Sequence, residues 1–212
     1  DDTEGWKNVQ DSTSNVTGIV PYITASGGTE STCGDFKIHK FTGPGTFSVT
    51  AASTVAPRNG LEYLVIAGGG GGRSGNSGSA RGGGGGGAGG YRTSAFGPSP
   101  LQAPTIPASA GSFPITVGAG GAGAASQPQD AVSGSPSVFP APTTITSAGG
   151  GFGGGNVSGN AGTPGGSGGG AGDGPSGGAP PVAGGTGNVP PVSPPQGNPG
   201  GPRETNPNNN GG

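Results

Sequence analysis

The sequence contains very few charged residues, and this scarcity excludes several classes of function. Charged side chains make up 8% of the 212 residues, and the formal net charge at pH 7 is −2. Between residues 93 and 202 only Asp130 and Asp173 carry charge. A stretch without Lys or Arg cannot neutralise phosphates and release counterions, so we predict no nucleic-acid partner. No window approaches the roughly 18 apolar residues of a membrane-spanning helix, so membrane insertion is not predicted either.

Cysteine, histidine and methionine are almost absent. Cys33 is the only cysteine and His39 the only histidine. These two residues supply neither a disulfide within the chain nor the ligands of an ordinary zinc site. Because no catalytic constellation can be assembled from them, we predict that the protein is not an enzyme and has no cofactor and no metal. Methionine is absent and the chain begins with Asp1, which indicates a processed chain or a piece of a longer protein.

Glycine is the abundant residue, with 55 of the 212 positions, and it occurs in blocks such as 68–72 and 82–87. Glycine has no side chain to bury and loses more backbone entropy on folding than any other residue. A chain this rich in glycine therefore needs a source of order other than a large hydrophobic core. Collagen is excluded, because no Gly-X-Y frame continues for more than a few residues. Two readings remain open: a flexible linker, or backbones that pack directly on one another.

The first part of the chain has the pattern of an ordinary small sheet. Segments 35–42 and 46–51 alternate apolar and polar residues around a Thr-Gly-Pro-Gly turn, which predicts a β-hairpin. We expect His39 on the solvent face of this hairpin, and we expect Cys33 to be a small packed residue. Segment 16–25 is β-prone but contains Pro21, which restricts it to an edge strand. Segment 61–67 is taken as a continuous apolar run, which predicts a central strand covered on both faces.

After residue 72, short β-prone islands interrupt the glycine. They lie at 113–117, 137–139 and 143–147, and each leads into or out of a Gly-Gly sequence. A linker does not explain these islands, whereas a bundle of extended helices of the polyproline-II type does. Such helices have three residues per turn and no internal hydrogen bonds, so their buried backbone groups would pair between neighbouring helices. No segment has helical periodicity with caps, so essentially no α-helix is expected.

The predicted fold class is therefore all-β and irregular: a small antiparallel β subdomain followed by a polyglycine-II bundle. The predicted division of the chain is residues 1–15 as a linker or the end of a preceding module, 16–67 as the β subdomain, 68–201 as the glycine-rich bundle, and 202–212 as a tail or a linker to further sequence.

An ordered series of landmarks resembles a known family. The landmarks are FTGPGTFSV at 41–49, YLVIAGGGGG at 63–72, GGAGGYR at 86–92, ITVGAGGAG at 115–123, SVF at 137–139, ITSAGGG at 145–151 and PPVSPPQGNPGG at 190–201. This series is similar to the glycine-rich domain of bacteriophage tail-fibre and virion structural proteins, especially those of marine and cyanobacterial phages. The uncharged, proline-rich insertion at 93–112 departs from the compact form of that domain.

The resemblance implies a structural role in a tail fibre or another virion appendage, outside the host cell, with attachment to the host surface as its purpose. Fibres of this kind are homo-oligomers, most often trimers, so the implied partners are copies of the chain and other virion proteins. Related glycine-rich phage adhesins touch a host receptor, a glycan or a protein, through the distal loops of a polyglycine-II sandwich.

Three residues beside the longest glycine block are candidate receptor contacts: Tyr91, Arg92 and Phe96. The competing interpretation is that they cap the bundle and shield it. Asp130 and Asp173 could bind a cation or sugar hydroxyls, although solvated turn residues are the commoner role for such acids.

Two other functions are open from the sequence. The chain could be a subunit of a cellular extracellular filament or matrix, in which the same bundle is a polymer building block. It could also be an ice-binding polyglycine-II protein, but that function calls for regular Gly-X-X repeats and a flat Thr/Ala face, and this sequence has neither.

Overall fold

The computed structural model describes residues 22–75, 82–124, 131–141, 143–155, 161–173 and 181–203. Within these ranges the chain forms short strands, irregular extended segments and two three-residue 3₁₀ turns, and it has no α-helix. The strands are β1 Thr24–Ser26, β2 Thr29–Cys33, β3 Phe36–Lys40, β4 Gly45–Ala51, β5 Gly60–Leu61, β6 Leu64–Ile66, β7 Tyr91–Ser94, β8 Gln102–Ala103, β9 Ile106–Pro107, β10 Gly111–Ile115, β11 Ser137–Phe139 and β12 Ile145–Ser147. The prediction of a β-rich chain with essentially no α-helix is confirmed.

Some of the sequence predictions fall outside these ranges. They concern residues 1–15, the first part of segment 16–25, Asp130, and all but the start of segment 202–212. The three predicted islands in the glycine-rich half are confirmed as strands β10, β11 and β12.

The first sheet joins distant parts of the chain. β4 lies at its centre and pairs antiparallel with β1 on one side and β10 on the other. Phe47 and Val49 of β4 are buried with Ala25 of β1, and Phe113 of β10 lies opposite Phe47. β1 is thus an edge strand in this sheet. Strand pairing crosses the boundary expected between residues 67 and 68, although the division into two units itself stays a prediction.

A second apolar cluster lies beside the first. Tyr63, Val65, Ile106, Ala141 and Ile145 form its buried core. Phe139 contacts both clusters, and its ring centre lies 5.9 Å from that of Phe47 in an edge-to-face arrangement. The small strands of both halves therefore share one continuous apolar region.

The predicted hairpin is wrong in its pairing. Both segments form strands, but β3 pairs with β2, whereas β4 pairs with β1 and β10. A two-residue loop, Gly34 and Asp35, connects β2 to β3, and Gly34 has a φ of 57°. A two-residue hairpin loop requires positive φ, which glycine adopts without strain, so Gly-Asp is the stronger turn signal here. The later Thr-Gly-Pro-Gly bend carries the chain from this hairpin into the first sheet.

The hairpin β2–β3 also has its faces opposite to the expectation. His39 is nearly buried: its Nδ1 lies 2.9 Å from the Gly27 carbonyl oxygen and its ring packs on Phe47, with 5.1 Å between ring centres. Lys37, on the same face, bonds to Glu30 at 2.7 Å, and this hydrogen bond lowers the pKa of the Glu30 carboxyl. Phe36 is 60% exposed and Cys33 is exposed as well. The expectations of a solvent-facing His39 and a packed Cys33 are therefore wrong, because the polar face finds backbone partners on β1 and the turn after it.

Segment 61–67 is not a central strand covered on both faces. It forms β5 and β6, and β6 lies at the edge of the sheet β6–β7–β8, in which β7 is central. Tyr63, Val65 and Ala67 are buried, whereas Leu64 and Ile66 are exposed. Alternating burial of this kind is typical of a sheet with one solvated face.

The glycine segments are connected by backbone hydrogen bonds that recur every third residue. Segment 82–90 donates to segment 148–155 and accepts from segment 67–73. The donor–acceptor pairs, at 2.7–3.1 Å, are Gly84–Gly154, Gly87–Gly151, Gly90–Ala148, Ala67–Gly90, Gly70–Gly87 and Arg73–Gly84. The same spacing recurs between other segments, as in Gly121–Gly69 with Ala124–Gly72, and in Gly151–Ser167 with Gly154–Gly170. Every third residue of segment 82–90 thus bonds to two neighbouring segments.

These contacts leave no room for a side chain at most glycines of the array. A methyl group at Gly87 would overlap the Ser167 carbonyl oxygen, and one at Gly150 would overlap the Gly87 carbonyl oxygen. At Gly85, by contrast, an added methyl group meets nothing within 4 Å. Glycine is therefore required by close approach of backbones at some positions and is not required at others in the same segment.

Two adjacent positions test this requirement. Gly86→Ala puts its methyl group into the Gly70 carbonyl oxygen, so we expect the free energy of unfolding to fall by about 3 kcal/mol, as for an overpacked site. Gly85→Ala is the matched control: we expect a change of at most about 1 kcal/mol, since its methyl group points into open space. Urea unfolding of both variants measures the difference. Equal stability of the two would contradict the close packing of segments 67–73 and 82–90.

Candidate functional site

The three predicted receptor contacts lie at the end of glycine segment 82–90, but not on one face. Tyr91 and Arg92 belong to β7, and Phe96 lies in the loop that follows it. Successive residues of a strand point to opposite faces, so Arg92 points away from the face of Tyr91. Arg92 donates from Nη1 to the Thr146 carbonyl oxygen at 3.4 Å, on the side of the buried Val65. Arg92 is therefore engaged on the inner side of the sheet.

The loop that carries Phe96 lies beside Tyr91. The chain turns back after β7 through Ala95, which has a φ of 57°. The Thr93 hydroxyl donates to the Phe96 carbonyl oxygen at 3.3 Å, and Gly97 lies beside the Tyr91 hydroxyl. The loop thus folds over the Tyr91 face of β7 and leaves Phe96 39% exposed.

Two further residues of this face were missed in the sequence. Leu64 and Ile66 lie opposite Thr93 and Tyr91 in the β6–β7 pair, and they are 47% and 54% exposed. The signal was Glu62, which interrupts the run 61–67 and is exposed. The two-residue period places Glu62 on the same face as Leu64 and Ile66, so the run alternates. We call Leu64, Ile66, Tyr91 and Phe96 the apolar face.

The strand pair that carries the apolar face is fixed by buried polar side chains. Ser94 is fully buried; its hydroxyl accepts the Tyr63 N–H at 2.9 Å, and its own N–H donates to the Tyr63 carbonyl oxygen at 3.0 Å. Ser147, also fully buried, donates from Oγ to the Val65 carbonyl oxygen at 2.7 Å. Burial raises the pKa of the Tyr63 hydroxyl above its ordinary value of 10.0, against the opposing charge of Arg92. The inner side of the pair is therefore a satisfied core, whereas Leu64 and Ile66 on the outer side are exposed.

Gln196 connects the apolar face to the glycine array. Its side chain is buried, with Oε1 accepting the Ala148 N–H at 2.8 Å and Nε2 donating to the Pro190 carbonyl oxygen at 2.9 Å. Its carbonyl oxygen accepts the Tyr91 N–H at 2.8 Å, and its N–H donates to Asn188 Oδ1 at 3.2 Å. The proline-rich segment at 190–195 is thus not a bare spacer, because the residues at its ends bond to each other and to the start of β7. No sequence signal marked Gln196.

The apolar face consists of two aliphatic and two aromatic residues. No cluster of three or more His, Cys, Asp or Glu residues able to hold a metal ion occurs in the described ranges. No helix there is long and apolar enough to cross a membrane. Asp173 lies at the end of a glycine segment, and its N–H donates to the Gly82 carbonyl oxygen at 2.9 Å. The roles of Tyr91, Arg92 and Phe96 in receptor contact stay predictions.

The role of Gln196 can be measured through stability. We expect Gln196→Ala to lower the free energy of unfolding by about 2 kcal/mol, because the buried amide of Gln196 makes two hydrogen bonds, to the Ala148 N–H and the Pro190 carbonyl oxygen, each of which contributes about 1 kcal/mol. Gln102→Ala is the control: its amide donates to the Gly97 carbonyl oxygen at 2.7 Å but is exposed, so its loss costs at most about 1 kcal/mol. Thermal unfolding followed by calorimetry measures both. A smaller loss for Gln196→Ala than for Gln102→Ala would show that Gln196 does not fix this end of the array.

Comparison with known proteins identifies a family and no individual relative. Residues 41–212 match the family described as glycine-rich domain, so the chain belongs to that family. The match begins directly after β3, so the β2–β3 hairpin lies outside it. No curated protein and no solved structure matches the chain.

Proposed function

We propose that this member of the glycine-rich domain family is a structural component of a phage tail fibre or a comparable virion appendage. In this proposal the chain catalyses no reaction. It forms a stiff unit that contributes to attachment to the host surface. Its partners are copies of itself, in the trimer that the resemblance implies, and other virion proteins. Its place is outside the host cell, on the virion.

The observation that carries the proposal is the hydrogen bonding between glycine segments. An appendage needs stiffness over its length, and the backbone bonds between segments 67–73, 82–90 and 148–155 supply it without a large apolar core. Each bond contributes about 1 kcal/mol net, so the repetition of the pattern matters more than any single contact. In a flexible linker, glycine is not needed to make room for a neighbouring segment. Here even a methyl group at most glycines of the array would overlap a neighbouring backbone atom.

We infer further that the glycine segments are polyglycine-II helices. The support is the spacing of the bonds: donors recur at every third residue, and a helix of this class has three residues per turn. A β-strand would instead direct alternate residues to the same neighbour. The several directions in which one segment bonds also agree with a helix that is surrounded by others.

The apolar face is the proposed attachment surface. It lies where glycine segment 82–90 ends, and Phe96 is carried on a loop. The phage adhesins that this chain resembles also touch their receptor through loops. Tyr91 and Phe96 offer aromatic rings to a host glycan or protein, and Leu64 and Ile66 extend the exposed apolar surface beside them. Arg92 supports the strand from behind, through Thr146.

The location of the protein tests this proposal. Antibodies raised against the purified chain are used for immunogold electron microscopy of the producing culture, with virions and cells separated on a density gradient. We expect gold particles on the appendages of virions, and pre-immune serum is the control.

Label on cell-surface filaments or matrix, with none on virions, would overturn the proposal in favour of an extracellular filament or matrix subunit. Label on virions that is confined to the capsid interior would overturn the attachment role, because a buried protein cannot reach a host surface.

A further inference from the structure

We infer that strand β2 is an interface between two copies of this chain, which pair edge to edge and antiparallel about a two-fold axis. This inference does not rest on the proposed function, because a fibre subunit and a matrix subunit would use the same edge. A two-fold contact joins two copies and is separate from the trimer that the resemblance implies.

One edge of β2 has no neighbour in the part of the chain that the structure describes. β2 and β3 form a two-stranded sheet, and no other described strand pairs with β2. All five residues of β2 are exposed. In an antiparallel pair every second residue directs its N–H and C=O groups to the partner. Cys33 and Phe36 flank the two-residue loop and exchange main-chain hydrogen bonds with each other. Counting back from Cys33 in steps of two, Ser31 and Thr29 also face β3, so Glu30 and Thr32 direct their N–H and C=O groups away from it.

The free edge lacks the features that usually protect an edge strand. Natural edges are protected by proline, by lysine, by a bulge or by a covering segment. β2 has the sequence Thr-Glu-Ser-Thr-Cys, and its register with β3 runs without a shift. Its only charged residue, Glu30, is bonded to Lys37 of the same hairpin at 2.7 Å and accepts the Gly27 N–H at 3.3 Å. The edge therefore offers main-chain donors and acceptors beside four small, neutral side chains and one carboxylate, Glu30, that is already paired with Lys37.

A second copy of β2 suits this edge best in one register, the one centred on Ser31. With Ser31 on the two-fold axis, Glu30 lies opposite Thr32 of the second copy, and Thr29 lies opposite Cys33 of the second copy. In this register no like charges lie directly opposite each other. Like charges in that position would destabilise the pair. The outward N–H and C=O groups of Glu30 then face those of Thr32 in the second copy, and those of Thr32 face Glu30 of the second copy. Each of these two residue pairs forms two main-chain hydrogen bonds, so the pairing forms four. Two-fold dimers with self-complementary interfaces are the commonest symmetric assemblies.

Cysteine cross-linking tests the register. In the full chain with Cys33→Ser, Ser31→Cys places two identical residues opposite each other on the axis. Their Cα atoms would be about 4.5–5.5 Å apart, within the range that a disulfide spans. We expect mild oxidation to convert most of this variant into a covalent dimer on a non-reducing gel. Thr29→Cys in the same background is the matched control, because the two copies of residue 29 lie at opposite ends of the paired strands.

Sedimentation tests the association itself. We expect the chain with Cys33→Ser to sediment as paired copies at micromolar concentration, and we expect Ser31→Lys to abolish the pairing by placing like charges opposite each other. Thr144→Lys, at an exposed position outside the hairpin, should leave the pairing unchanged. Equal cross-linking at positions 29 and 31 would overturn the inference, since it would indicate random collision. A chain that sediments identically with and without Ser31→Lys would also overturn it.

Discussion

Pairing of the backbone is the constraint on which the rest of this structure depends. Buried N–H and C=O groups must find partners, and in this chain many of them find partners on other extended segments and not within a helix or a broad sheet. Such pairing needs backbones that approach more closely than any side chain permits. Gly87 shows the consequence: it accepts from Gly70, donates to Gly151 and has the Ser167 carbonyl where a methyl group would lie. Glycine is abundant because the array requires it.

The small apolar clusters do a different task. Glycine segments bury almost no apolar surface, so hydrophobic burial is concentrated in the short strands at the ends of those segments. β6 leads into segment 67–73, β7 follows segment 82–90, and β12 leads into segment 148–155. Because β6 pairs with β7 and β12 contacts both strands, the three strands hold the adjoining ends of the three segments together. Gln196 repeats this arrangement with hydrogen bonds in place of apolar contacts.

Much of the element content could be predicted from the sequence, whereas the pairing could not. The islands at 137–139 and 143–147 were identifiable because β-branched and aromatic residues interrupt glycine. The partners of β4 were not, because β10 lies some sixty residues away and short strands carry little information on register. His39 was misplaced since its carbonyl partner at Gly27 is a tertiary contact. The apolar face could be predicted, because the polar Glu62 indicates which alternate residues of the run face solvent. Leu64 and Ile66 are the next two of these residues and are exposed.

Hydrogen exchange of individual glycine amides tests the central claim most directly. With ¹⁵N-glycine labelling, exchange can be followed residue by residue across segment 82–90. The account predicts slow exchange at Gly84, Gly87 and Gly90, which donate to segment 148–155, and fast exchange at Gly85 and Gly86, which are exposed. Protection would then recur every third residue. Exchange at the rate of a free chain throughout the segment, or protection at every second residue as in a β-strand, would contradict the account.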